Sequence, residues 1–203
     1  MRRSELVRAL ERVPAFDRPD AALEQVITPS EAAATLLEAA DRFDGLSGRS
    51  VLDLGCGTGR LAIGAALLGA GPVRGIDLDP GAVERARVAA TNAGVAVEFD
   101  ATDIESVNGR VEIVLMNPPF GAQSKHADRP FWERAFALAE RSVYAFALED
   151  SRTFIARRAV ERGAQVLDVG PVPWALPRTF PHHVRRRVPL AVDLWALRTE
   201  PDP

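Results

Sequence analysis

A short apolar strand that runs into a glycine-rich turn and then a helix, Ser50 to Gly69, constrains this chain more than any other stretch. Ser50-Val51-Leu52-Asp53-Leu54 reads as a buried strand, and Gly55, Gly57 and Gly59 let the backbone approach a ligand where any Cβ would collide. Arg60 to Gly69 then continues as a helix. Counting this unit, the chain alternates through five strand–helix pairs, ending with a strand at Ser142 to Phe146 and a helix from Ser151 to Arg162. Two further apolar runs, Gln165 to Val172 and Val188 to Leu197, read as an antiparallel pair joined by a turn-rich basic loop. The expected fold is therefore one α/β domain over residues 1–203, with a seven-stranded mixed sheet, helices on both faces and an antiparallel C-terminal pair.

The glycine spacing identifies the ligand class. A dinucleotide-binding turn wants its third glycine one position later, where this chain has Arg60. Asp53, two residues before the first glycine, suits a ligand with a positively charged amino group, as S-adenosylmethionine has. Val73 to Asp77 is a second strand ending in an acid, and a carboxylate there is placed to accept the ribose hydroxyls of a nucleoside. Leu78 follows it. A third strand ends in the run Phe99 to Ile104, where Asp103 can receive an adenine amino group while Ile104 covers the ring. Taken singly, each acid is more simply a cap or turn residue. Three of them at successive strand tips point to a Rossmann-like, class I S-adenosylmethionine-dependent methyltransferase.

The fourth strand tip carries the chemistry. Val111 to Met116 leads into Asn117-Pro118-Pro119-Phe120. The exocyclic amine of adenine and the amide of glutamine are poor nucleophiles because their lone pairs are delocalised into a π system. The Asn117 side-chain oxygen and the Pro118 carbonyl can both accept hydrogen bonds from such a nitrogen, drawing it toward tetrahedral geometry and stabilising charge as it develops. Phe120 can stack on the planar group, and the prolines stiffen the turn and withhold competing N–H donors.

Composition excludes several alternatives. The single cysteine rules out an internal disulfide and a cysteine-built metal site, and favours a cytoplasmic setting. Cys56, inside the glycine turn, reads as a small filler, and with no other thiol available methylation at cytosine carbon is disfavoured. No apolar run is long enough to span a membrane. The net charge of −3 does not mark a nucleic-acid binder, but the basic residues concentrate late, at His182, His183, Arg185, Arg186 and Arg187, as a candidate phosphate contact. No metal is expected: His126 has no partners at ligand spacing.

Residues 1–29 read as an N-terminal helix, Ser4 to Arg12, followed by a linker and an extended segment that covers the cofactor. Pro29 suits the first turn of a helix capped by Thr28 and running to Arg42. Gly121 to Pro130 is expected to be a mobile substrate loop, and residues 200–203 a frayed tail. Trp132, Trp174 and Trp195 are expected in a helix, a turn and a strand, mainly as packing.

With these residues in hand, the chain resembles the methyltransferase-like-five family, the adenine-N6 methyltransferases of small-subunit ribosomal RNA in archaea and eukaryotes. The resemblance runs from Leu23 to Leu197. It rests on Leu23-Glu24-Gln25 with Thr28, Leu68-Gly69-Ala70, Asn117 to Gly121, His126-Ala127-Asp128-Arg129 with Phe131, Val143-Tyr144, and the loop Phe180 to Arg187. The likeness implies that Gln25 and Thr28 contact the cofactor. It also implies that Asp53, Gly55, Asp77 and Asp103 hold the methionine, turn, ribose and adenine portions, with Gly57, Leu78, Ile104 and Asn117 completing the set. Two departures are visible: Val26 stands in place of the family's tyrosine, and Ala145-Phe146-Ala147 in place of its Ser-x-His.

The same likeness implies a small zinc-binding activator protein, docked by strand addition at an edge strand expected over Val95 to Phe99. Rival functions are a glutamine-amide methyltransferase of a translation release factor, a DNA adenine or guanine-N2 methyltransferase, and a catalytically silent cofactor-binding subunit. Phe120, where the glutamine enzymes usually have tyrosine, and the basic late loop favour RNA.

Overall fold

The computed structural model describes residues 1–174 and 190–199. Seven strands form one sheet: β1 (Val51–Leu54), β2 (Val73–Asp77), β3 (Glu98–Ala101), β4 (Val111–Met116), β5 (Ala139–Leu148), β6 (Gln165–Val172) and β7 (Val192–Arg198). Their spatial order is β3-β2-β1-β4-β5-β7-β6. The first five run parallel to one another, and β7 runs antiparallel between β5 and β6. The expected mixed sheet with its antiparallel C-terminal pair is the observed one. Strand order reverses at β1 and β4, so their C-terminal tips open a crevice where ligands bind in open α/β sheets.

Both faces are covered. α1 (Arg3–Glu11), α2 (Ser30–Asp44), α3 (Arg60–Leu67) and α4 (Pro80–Ala93) pack on one side through Leu10, Leu36, Leu37, Ile63 and Val83. On the other side α5 (Arg129–Leu138) and α6 (Arg152–Glu161) pack through Trp132, Phe136 and Ile155 onto Leu52, Val114 and Val143. The central strands β1 and β4 are buried on both faces along most of their length, which explains why they read as largely apolar runs.

Two buried ionic knots tie the antiparallel part to the helices. Asp44, at the end of α2, accepts from Tyr144 Oη at 2.5 Å and Arg141 Nε at 2.6 Å, with Arg198 at 3.1 Å. Burial pushes the Asp44 carboxyl up, but the bonds from Tyr144 and Arg141, with the charge of Arg198, outweigh it and hold the pKa below the usual range. Asp193 on β7 takes a two-pronged pair from Arg152 of α6, at 2.6 and 2.7 Å.

Three boundaries differ from expectation. β3 begins at Glu98 rather than Val95, because Val95 is still bonded back to the end of α4 (its N–H donates to the Ala90 carbonyl at 3.1 Å). β5 runs from Ala139 to Leu148, longer than Ser142 to Phe146. Thr28 does not cap α2; the cap position is Pro29, and the Thr28 hydroxyl turns elsewhere. Trp132 and Trp195 are buried in α5 and β7, as expected of packing residues. The basic loop with His182, His183 and Arg185 to Arg187, and the tail at 200–203, lie outside the described residues.

Candidate active site

The crevice at the β1 and β4 tips is a cavity of about 380 Å³. Gln25, Thr28, Asp53, Gly55, Gly57, Asp77, Leu78, Asp103, Ile104 and Asn117 all line it. Every residue assigned to the cofactor from the sequence therefore meets in one place. Of the tetrapeptide, Asn117 and Pro119 reach the wall, whereas Pro118 and Phe120 do not. The Phe120 ring is half-buried and meets Trp174 edge-on at 5.5 Å, and Trp174 in turn meets Phe146 at 5.0 Å.

The turn after β1 is hooked onto β2. The N–H groups of Gly55 and Cys56 both donate to the Ile76 carbonyl, at 2.8 and 2.9 Å. Gly55 and Gly57 have φ of +72° and +53°, conformations that side chains resist. A Cβ at Gly55 would sit 2.9 Å from the Phe131 ring, and one at Gly57 would sit 2.8 Å from Phe16. Both aromatic rings lie on the cavity wall. Cys56 is buried, and burial raises its thiol pKa well above the ordinary value, so it is inert filler.

Asp53 is 1% exposed. One carboxylate oxygen accepts from the Ala62 N–H at 3.0 Å, in the first turn of α3, and the other has no partner among the described residues. Burial pushes its pKa up to about 7, against the bond from Ala62, and the nearby Asp77 adds to the rise. A buried carboxylate with one oxygen unsatisfied on a cavity wall is a site for a cationic ligand group. Asp77 accepts from Gly57 N–H at 2.7 Å and from Asp79 N–H at 2.9 Å, one bond per oxygen. Each oxygen keeps a lone pair, enough for a diol. Asp103 caps the short 3-10 turn at Ile104–Ser106 through the Glu105 N–H at 2.9 Å, so the simple capping role and a place on the cavity wall coincide.

Asn117 is the most telling side chain. Its amide nitrogen donates to the Thr28 hydroxyl at 3.0 Å, while its amide oxygen is buried and has no partner among the described residues. The strap that carries Thr28 is fastened at several points that the sequence did not announce. Glu24 accepts from the backbone N–H of Gly121 at 2.9 Å and of Gln123 at 2.8 Å, which holds the loop behind the tetrapeptide. Gln25 donates to Asp79 at 2.7 Å and accepts from Asp20 N–H at 2.8 Å. Arg60 donates to the carbonyls of Thr28 and Val13 at 2.5 and 2.9 Å. Only the unusual arginine in place of a third glycine hinted at that clamp.

These features fit S-adenosylmethionine. The cavity lies within the roughly 300–1,000 Å³ of small-molecule sites, and it offers an unsatisfied buried carboxylate, a diol acceptor and a side-chain-free turn. Comparison with known proteins agrees. Residues 30–144 match the methyltransferase small-domain family. The chain is 32% identical to the Drosophila melanogaster rRNA N(6)-adenosine-methyltransferase Mettl5, over 92% of this chain and 91% of that protein. It is 31% identical to the Danio rerio protein METTL5, which carries the same functional name, over 95% of this chain and 97% of that one. A candidate RNA methyltransferase from Pyrococcus horikoshii has a solved structure that is 36% identical over 98% of both chains, with a TM-score of 0.89. The chain belongs to the methyltransferase small-domain family, and its cofactor is S-adenosylmethionine.

Proposed function

We propose that this protein methylates the N6 amine of an adenine in small-subunit ribosomal RNA. The observation that carries the proposal is the Asn117 amide oxygen, buried and unpartnered beside the cofactor cavity with its own nitrogen already committed to Thr28. The names of the full-length relatives supply the RNA substrate and the N6 position.

When bound, the cofactor supplies an electrophilic methyl group on a sulfonium sulfur. Asp53 would hold its amino group, Asp77 its ribose hydroxyls, and Asp103 with Ile104 and Leu78 its adenine, while Gln25 and Thr28 close the strap over it. The Asn117 oxygen and the Pro118 carbonyl accept the two N–H bonds of the target amine. Those bonds would draw the nitrogen lone pair out of conjugation and stabilise positive charge on the nitrogen as its bond to carbon forms and the carbon–sulfur bond breaks, leaving S-adenosylhomocysteine as a neutral thioether. One amine hydrogen then leaves as a proton to solvent. The half-buried Phe120 ring, backed by Trp174, is the stacking platform for the base. The basic residues His182, His183 and Arg185 to Arg187 are assigned to phosphate contact on sequence grounds.

A small zinc-binding activator is the proposed protein partner. Among the described residues β3 pairs only with β2, and its short edge is available for strand addition between Glu98 and Ala101. Arg87 already covers one carbonyl there, that of Phe99, at 2.5 Å.

Mass spectrometry of ribosomal RNA and of release factor from a deletion strain tests the function. The expected result is the loss of one N6-methyladenosine from small-subunit RNA with release-factor glutamine methylation intact. The reverse pattern would assign the protein to the glutamine-amide reaction.

A further inference from the structure

Building on the proposed role of Asn117, we infer that Thr28 is a positioning residue, setting the amide of Asn117 so that its oxygen, and not its nitrogen, faces the target amine. The amide is nearly symmetrical in shape but opposite in chemistry at its two ends. Turned over, it would present N–H donors to an amine whose own hydrogens need acceptors, and the site would repel the group it must bind. Some feature of the fold must choose between the two orientations.

Thr28 makes that choice. Its hydroxyl lies 3.0 Å from the Asn117 amide nitrogen, and the amide oxygen has no competing donor among the described residues. Thr28 is buried, so water does not substitute freely for this contact. A hydroxyl can donate or accept, but one whose hydrogen goes to a bound ligand, as the proposed cofactor contact of Thr28 has it, can only accept from Asn117. The orientation with nitrogen toward Thr28 frees the hydroxyl hydrogen for the cavity that Thr28 also lines.

The position of Thr28 is itself clamped. Arg60 is buried and occupies the first position of α3, where the helix dipole disfavours a cation. Burial lowers its pKa to about 10, an effect only partly countered by Glu11. What it gains is the Thr28 carbonyl at 2.5 Å and the Val13 carbonyl at 2.9 Å, which pin both ends of the strap. A guanidinium held there against burial and dipole fixes the backbone of the residue that fixes Asn117. Directly beside Thr28, Pro29 restricts it to an extended backbone. The strap therefore does more than cover the cofactor: it delivers a hydrogen-bond acceptor to the catalytic amide.

Three full-length proteins test this: wild type, Thr28→Val, which keeps shape but removes the hydroxyl, and Thr28→Ser, which restores it. In the protein without RNA, the Asn117 side-chain NH₂ signals, assigned by their loss in Asn117→Asp, should shift in Thr28→Val and return in Thr28→Ser. On small ribosomal subunits, kcat should fall about tenfold or more in Thr28→Val, the loss of roughly one well-placed hydrogen bond. With cofactor saturating in every variant, so that any loss of cofactor affinity does not enter kcat, KM for the RNA should change less than about twofold and Thr28→Ser should recover most of kcat. Unmoved NH₂ signals, or a Thr28→Val protein that loses cofactor affinity but keeps kcat, would overturn the inference and make Thr28 a cofactor ligand only. If wild type itself leaves ribosomal RNA unmethylated, the RNA assignment fails, while the NH₂ signals still decide the role of Thr28.

Discussion

Asp53 is the residue whose behaviour with pH is most diagnostic. Its folded pKa, about 7, lies above the ordinary carboxyl value of 3.8, so the folded chain holds an extra proton between those limits. Stability from this group therefore falls as pH rises from about 4 to about 7, and the penalty is complete above that. Asp53→Asn should stabilise the cofactor-free protein above pH 7 while weakening cofactor binding; thermal melts across pH 5 to 8 would check the first half. Binding a cationic amino group should restore the carboxylate and release a proton. Calorimetry near pH 6.5 in buffers of different ionisation enthalpy should detect up to one proton released per S-adenosylmethionine bound in wild type and none in Asp53→Asn. The acids at the strand tips were legible because an acid after an apolar run is a local pattern. The Thr28 contact was not, since its partner is 89 residues away and a threonine before proline reads locally as a helix cap.

At the scale of elements, the Asp44 knot joins α2, β5 and β7 and was invisible in sequence for the same reason, its partners Tyr144 and Arg198 being far along the chain. Tyr144→Phe removes one donor from a fully buried carboxylate. It should lower stability by about 1–3 kcal/mol with cofactor affinity unchanged, measured by urea melts beside calorimetry. The folded pKa of Asp44 is depressed, so its contribution is present above the unfolded value near 3.8 and is lost as pH falls through the lower folded value. Asp77 works on two levels at once. Asp77→Ala removes the diol acceptor and also frees the Gly57 and Asp79 N–H groups, so affinity for S-adenosylhomocysteine should fall tenfold or more. An unchanged dissociation constant would show that the ribose is held elsewhere.

For the whole molecule, the mixed sheet was readable because strands alternating with helices call for parallel pairing through helical crossovers, and the antiparallel end followed from two apolar runs without a helix between them. The edge strand was placed three residues early, because Val95 and Val97 look like strand yet pack back beside α4. Neutralising Arg185, Arg186 and Arg187 should weaken RNA binding and flatten its salt dependence without moving cofactor affinity; identical salt slopes would remove the loop from the RNA path. The account as a whole rests on Asn117 acting on an RNA amine. Its most direct test is a single-turnover reaction of small ribosomal subunits with isotopically labelled S-adenosylmethionine, followed by nucleoside digestion, for wild type and Asn117→Ala. We predict one labelled N6-methyladenosine per subunit from wild type, and a rate reduced about 10²–10³-fold in Asn117→Ala with S-adenosylhomocysteine still bound. Wild-type-like turnover in Asn117→Ala, or label in any other nucleoside, would contradict it.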